Sequence, residues 1–248
     1  MTTLTTIRPV RAPWLRAARW QLRSQAAVGA WLWATMAVAA TVVVGLLSRF
    51  ADVEVSIFQF SRHGALWTGF AMAVIFCTAG LAAHVASGLT RAAFVRATVV
   101  VGVVVGVVYA LLAGIGLELE GLVYGANGWS HVGSGGGVDP QHGFDPPSGL
   151  GVVPGLALSF VAGQLSGLLV GMAYYRLGGW WGTVVLPLTL APIYLVGSPS
   201  LTTGQLQLLA PLDLSAPAAA IVSVAVLAAA ALAYYLLARH VPIRSVQS

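Results

Sequence analysis

The chain has no lysine, one cysteine and very little charge of either sign. Each scarcity excludes something. Without lysine there is no G-x-x-x-x-G-K-[ST] phosphate loop, so the chain does not hydrolyse ATP by that route. The lone Cys77 rules out an intrachain disulfide and reads as apolar filler. Only 8% of residues are charged and 58% are hydrophobic, which excludes an ordinary soluble domain. Acids, lysine and arginine are absent from six long apolar stretches. That absence counts against a proton- or sodium-coupled carrier, which relies on ionisable groups within the membrane.

What is present is hydrophobic length. A helix needs about 20 apolar residues to cross a hydrocarbon core of roughly 30 Å. The stretches 26–47, 65–86, 97–117, 152–174, 180–196 and 216–237 meet or approach that length. They predict an all-α membrane protein, a single transmembrane domain over residues 1–248 with six spans. The first run is longer than a signal-peptide core and begins well inside the chain, so it reads as a retained anchor. The fifth is the shortest and holds Pro187 and Pro192, which predicts a kinked or broken span.

The charges between the stretches are sorted. Arg8, Arg11, Arg16, Arg19 and Arg23 precede the first span. Arg91 and Arg96 lie between the second and third, Arg176 between the fourth and fifth, and Arg239 and Arg244 after the sixth. The alternate side holds Arg49 and Arg62 with all the acids: Asp52, Glu54, Glu118, Glu120, Asp139, Asp145 and Asp213. Arginine excess marks the cytoplasmic side, so both termini are expected there. The net charge of +5 is then a topology signal, and dispersed arginines argue against a nucleic-acid partner. Arginine in place of lysine, with much Ala, Val and Gly, points to a GC-rich bacterial genome and a bacterial plasma membrane.

Within this frame residues 13–25 have their own pattern. Trp14, Leu15, Ala18 and Leu22 share one side at helical spacing, and Arg16, Arg19 and Arg23 another. This predicts an amphipathic interfacial helix on the cytoplasmic face. Small residues recur every fourth position in two spans: Gly102, Gly106, Ala110 and Gly114, then Gly151, Gly155, Ser159, Gly163, Gly167 and Gly171. That spacing lets helix backbones approach closely.

Catalytic constellations are poor. Gly163-Gln164-Leu165-Ser166-Gly167 departs from G-x-S-x-G, and His84 is expected nearer the cytoplasmic end than Ser166. No catalytic and no metal residues are assigned. The external segment 118–151 contains His131, Asp139, His142 and Asp145, but its Gly-Ser-Pro composition reads as a surface loop.

Two cytoplasmic connections remain. One reads Ser87-Gly88-Leu89-Thr90-Arg91-Ala92-Ala93-Phe94-Val95-Arg96, a short helical segment with an exposed-looking Phe94. The other reads Tyr174-Tyr175-Arg176-Leu177-Gly178-Gly179-Trp180-Trp181-Gly182-Thr183, a tight turn. With the basic N-terminal helix, these segments resemble the membrane subunits of ABC-2-type transporters, particularly small six-span actinobacterial permeases. The resemblance covers essentially the whole chain. It implies a non-catalytic permease paired with a separate ATP-binding subunit that carries ATP and magnesium. It also implies a second permease subunit, of the same or a different chain. Residues 13–25, through Trp14, Arg16, Arg19 and Arg23, would be the connecting helix. Gly88, Leu89, Thr90, Arg91 and Phe94 would form the coupling loop on the ATPase. Residues 198–215 would be re-entrant external helices, and the cargo of the exporter an amphipathic or hydrophobic compound. The long external segment departs from a simple exporter and leaves open a membrane scaffold working through that loop. An intramembrane enzyme using Ser166 and His84 is a third reading.

Overall fold

The structure is a computed structural model that describes residues 13–50, 56–88, 90–129, 150–196 and 215–239. The described part is helical: α1 (Pro13–Leu47), α2 (Ser61–Ala86), α3 (Arg91–Asn127), α4 (Val153–Val184), α5 (Leu186–Leu195) and α6 (Ala216–Arg239). Short 3-10 turns, Phe58–Phe60 and Leu150–Val152, lead into α2 and α4. Five helices are long and apolar enough to cross a membrane; α5 is shorter. Residues 130–149 and 198–214, and with them the loop histidines, His131 and His142, and most of the expected re-entrant region, lie outside the described residues.

α4 is the central and most buried helix, packed chiefly on α2 and α3. Lipid tails are as apolar as leucine, so burying side chains drives little association in a bilayer, and close packing must supply it. The glycine spacing does so. A Cβ at Gly106 would lie 2.8 Å from the Val161 backbone nitrogen, and one at Gly102 3.3 Å from Gln164. On α4, a Cβ at Gly167 would fall onto the Phe70 carbonyl oxygen, and one at Gly171 3.1 Å from that of Val74. The α3 stripe therefore faces α4, and the α4 stripe faces α2.

Four features differ from the sequence expectation. First, α1 is one 35-residue helix, so the amphipathic segment and the first span are continuous. Its buried side is Ala17, Ala18, Gln21 and Gln25, while Leu15 is exposed. Trp20 packs edge-on against Phe76 and His84 of α2, so this segment lines the bundle instead of forming a separate interfacial helix.

Second, among the described residues no separate helix lies between α2 and α3. Gly88 ends α2 with φ +80, and Thr90 caps α3 by accepting a hydrogen bond from the Ala93 N–H at 3.2 Å. Arg91–Arg96 are thus the first residues of α3.

Third, α3 does not stop at 117. It runs 37 residues, about 55 Å at 1.5 Å per residue, well beyond a hydrocarbon core of roughly 30 Å. Nothing at Glu118 or Glu120 stops a helix. The stop is a Schellman motif: Trp129 N–H bonds the Tyr124 carbonyl at 3.0 Å, and Gly128 N–H bonds that of Gly125 at 3.3 Å. Gly128 takes the left-handed conformation, and the Tyr124 and Trp129 rings meet edge to face. The connection that follows α3 accordingly begins at Gly128, and two acids expected in a loop are helical.

Fourth, the fifth stretch is broken, as its prolines predict. α4 bends at Gly178 (φ 82, ψ −179), and the chain then folds back, with the Tyr174 hydroxyl 3.0 Å from Thr183 Oγ1. A further break at Val185 precedes the ten-residue α5, which contains Pro192. The Gly178 conformation is one that only glycine adopts readily. Gly178→Ala is expected to destabilise by about 1–3 kcal/mol. Gly179→Ala, whose Cβ meets open space, is the neutral control. Melting of the two purified variants in detergent checks this, and equal melting temperatures would refute it.

Candidate functional site

Contacts between helix ends show how the charges are gathered. The start of α1 meets the end of α2 through Trp20 and His84. The start of α3 meets the same place through Phe94, whose ring lies 5.0 Å from that of His84. The Thr98 hydroxyl on α3 is 3.1 Å from the Tyr234 hydroxyl on α6, and Arg176 donates to the Leu237 carbonyl at 3.1 Å. A cation on the last carbonyls of α6 also complements its helix dipole. One end of the bundle thus collects Arg16, Arg19, Arg23, Arg91, Arg96, Arg176 and Arg239. The opposite end holds Arg49, Arg62, Glu118 and Glu120. Among the described residues the arginines are grouped as the sequence predicts; Arg8, Arg11, Arg244, Asp52, Glu54, Asp139, Asp145 and Asp213 lie outside the described residues.

At the basic end, Arg16, Arg19, Arg23 and Arg96 are exposed, Trp14 and Arg91 are half-buried, and Leu89 is outside the described residues. Phe94 corrects the expectation of an exposed docking side chain. It is fully buried, close to Gly80 and His84 and in one core cluster with Leu81, Leu168 and Met172. Two positions separate Phe94 from Arg96, about 200° around a helix, so an exposed arginine there turns the phenylalanine inward. His84 is also packed: its Nδ1 is 2.9 Å from the Gly80 carbonyl, which only accepts, so that nitrogen carries the proton. Ser166 is fully buried and its Oγ has no hydrogen-bond partner.

Most intramembrane hydroxyls are spent locally. Thr35, Thr41, Thr78, Ser159, Thr183 and Ser223 donate to carbonyls four residues earlier in their own helices. The longer-range polar contact at mid-bundle is between glutamines, Gln164 Nε2 to Gln25 Oε1 at 3.4 Å. Among the described residues no three His, Cys, Asp or Glu side chains come together as a metal site.

At the opposite end, α1 and α3 run on past the start of α2. Between them lies a cavity of about 540 Å³, lined mainly by apolar side chains. Trp33 and Phe58 stack in its lining, and Tyr124 and Trp129, edge to face, also line it. Glu120 reaches across to the start of α2. Its Oε1 accepts from the Ile57 and Phe58 N–H groups at 2.9 and 2.8 Å, and its Oε2 from the Ser56 hydroxyl. The first N–H groups of a helix have no intrahelical partner, so a carboxylate from α3 caps the turn that opens α2. Sequence reading missed this site because α3 was ended at 117. The Asn127-Gly128 pair, a helix stop, was the available signal.

Long apolar helices, internally satisfied hydroxyls and glycine-mediated packing define a multi-pass helical membrane protein. Compared with known proteins, the chain matches no family, no curated relative and no solved structure.

Proposed function

We propose that the chain is the permease subunit of an ABC-2-type exporter with six crossings, the broken fifth included, in a bacterial plasma membrane. Its basic end and both termini face the cytoplasm. It is not itself catalytic: a separate subunit binds ATP and magnesium, and a second permease copy or paralogue completes the pathway. The cargo is an amphipathic or hydrophobic compound. One observation carries the reading. Exposed arginines gather at one end of the bundle, and an apolar cavity opens at the other. A partner at the first end and cargo at the second suit a chain that lacks both lysine and a phosphate loop. Glycine-lined contacts between α2, α3 and α4 suit a rigid-body change between two packings.

With Phe94 buried, docking falls to the half-exposed Arg91 and its exposed neighbour Arg96. Arg91→Glu is expected to reduce transport-coupled ATP hydrolysis several-fold while membrane insertion stays intact. The test is to co-purify the chain with any ATPase that its host supplies to it and compare transport, ATPase activity and subunit association. Unchanged transport and association in Arg91→Glu would sink the docking assignment, and a functional complex containing no ATPase would sink the permease reading.

A further inference from the structure

We propose that the outward face of α1 is a lane for an anionic phospholipid, with the headgroup on Arg16, Arg19 and Arg23 and an acyl chain along the alanines that follow. The inference goes beyond the permease reading and does not rest on it. Arg16, Arg19, Arg23, Ala27, Ala30 and Ala34 recur at intervals of three and four, so they share one side of a helix. α1 is a single helix from Pro13 to Leu47, so that side runs unbroken from the basic end into the apolar length. All six residues are exposed, and α1 is the least buried of the five long helices. Helical phase sets the exposed rings of Trp20 and Trp31 along one edge of the row. Small residues edged by large rings make a shallow lane that a hydrocarbon chain fills.

Depth along the helix assigns the two ends of the lipid. The apolar run starts at Ala26, which sets the edge of the hydrocarbon core. At 1.5 Å per residue, Arg23 lies about 5 Å outside that edge and Arg19 about 10 Å, against a headgroup layer of roughly 5–8 Å. Helix side chains lean toward the N-terminus, here away from the core, which carries the Arg23 guanidinium further into that layer. Tryptophan favours the same layer, and Trp20 lies between Arg19 and Arg23. Among the described residues none of the three arginines makes a hydrogen bond or an ion pair, and the described acids lie at the other end of the bundle. Their guanidinium forks match phosphate oxygens. A protein partner suits this face less. The arginines share their side with exposed apolar helix, a surface for lipid rather than for a water-soluble subunit. A second copy packed two-fold on it would set arginine against arginine.

The test is native mass spectrometry of the full chain in detergent with equal amounts of phosphatidylglycerol and phosphatidylcholine of identical chains. The wild type is expected to retain the anionic lipid about ten-fold over the neutral one. Arg16→Gln combined with Arg19→Gln and Arg23→Gln is expected to cut that preference to about two-fold or less. All three side chains are exposed, so this variant should melt with the wild type. Should it unfold, the three single variants decide, each expected to lose part of the preference. Arg91→Gln combined with Arg96→Gln and Arg239→Gln removes the same charge from the same end and should leave most of the preference in place. Equal loss in the two triple variants would show a response to net charge alone and overturn the lane. Glycerol phosphate, a headgroup without chains, should not displace the lipid at equal concentration; displacement would leave a bare anion site and also overturn it. Arginines whose removal spares the lipid preference but abolishes association with an ATPase would belong to a protein partner, against the proposal. A lipid preference that follows these arginines in a chain that partners no ATPase would sink only the permease reading.

Discussion

Gly167→Leu is expected to lower the melting temperature of the detergent-solubilised chain by roughly 10 °C. The cause is steric and lies on backbone. A Cβ at residue 167 would fall on the Phe70 carbonyl oxygen and 2.8 Å from the Ala73 Cβ. A flexible side chain could turn aside; a helix backbone cannot, so α2 and α4 must separate along their shared face. Overpacking of this kind costs about 1–3 kcal/mol or more, and each kcal/mol shifts melting by about 2–4 °C in a chain of this size. The whole helix surface then loses the close contact that replaces hydrophobic driving force in lipid. Gly125→Ala, near the end of α3 where a Cβ meets open space, is the control, and should be neutral or slightly stabilising because alanine is the better helix former. A Gly167→Leu chain that melts with the wild type would show that α2 and α4 are not in contact there.

Phe94→Ala is expected to destabilise by about 3–5 kcal/mol, because it empties a fully buried aromatic site. The ring lies against Gly80, where a Cβ would come 3.3 Å from it, and beside His84. Its removal should loosen the junction of α2 and α3, which also holds Arg91 at the basic end. Phe94→Leu retains most of the volume and should recover most of the stability. The measurement is melting of the three proteins, with subunit association measured in parallel. A Phe94→Ala chain of wild-type stability that no longer associates would restore the docking role and overturn the buried one.

The sorted arginines were legible in the sequence because they are governed by the membrane, which acts on each loop separately. So were the broken fifth stretch, from Pro187 and Pro192, and the reversal at Gly178-Gly179. The length of α3 was less legible: hydropathy falls at Glu118, but hydrogen bonding continues to the Gly128 cap. Phe94 was misread for a related reason. A phenylalanine in a short charged segment looks exposed until helical phase turns it toward Gly80. The cavity was invisible from sequence. It requires α1 and α3, separated by all of α2, to project side by side, and Glu120 to reach residues more than sixty positions away.

By itself, then, the sequence determined that the chain is helical, has several stretches long and apolar enough to cross a membrane, and keeps most of its arginines to one side of them. Those properties follow from local composition against a fixed hydrocarbon thickness. Only the tertiary structure decided which glycines touch backbone, which aromatic ring is core, and where an apolar cavity meets a carboxylate. Those depend on rotation about helix axes and on contacts between distant segments, and neither composition nor spacing specifies them.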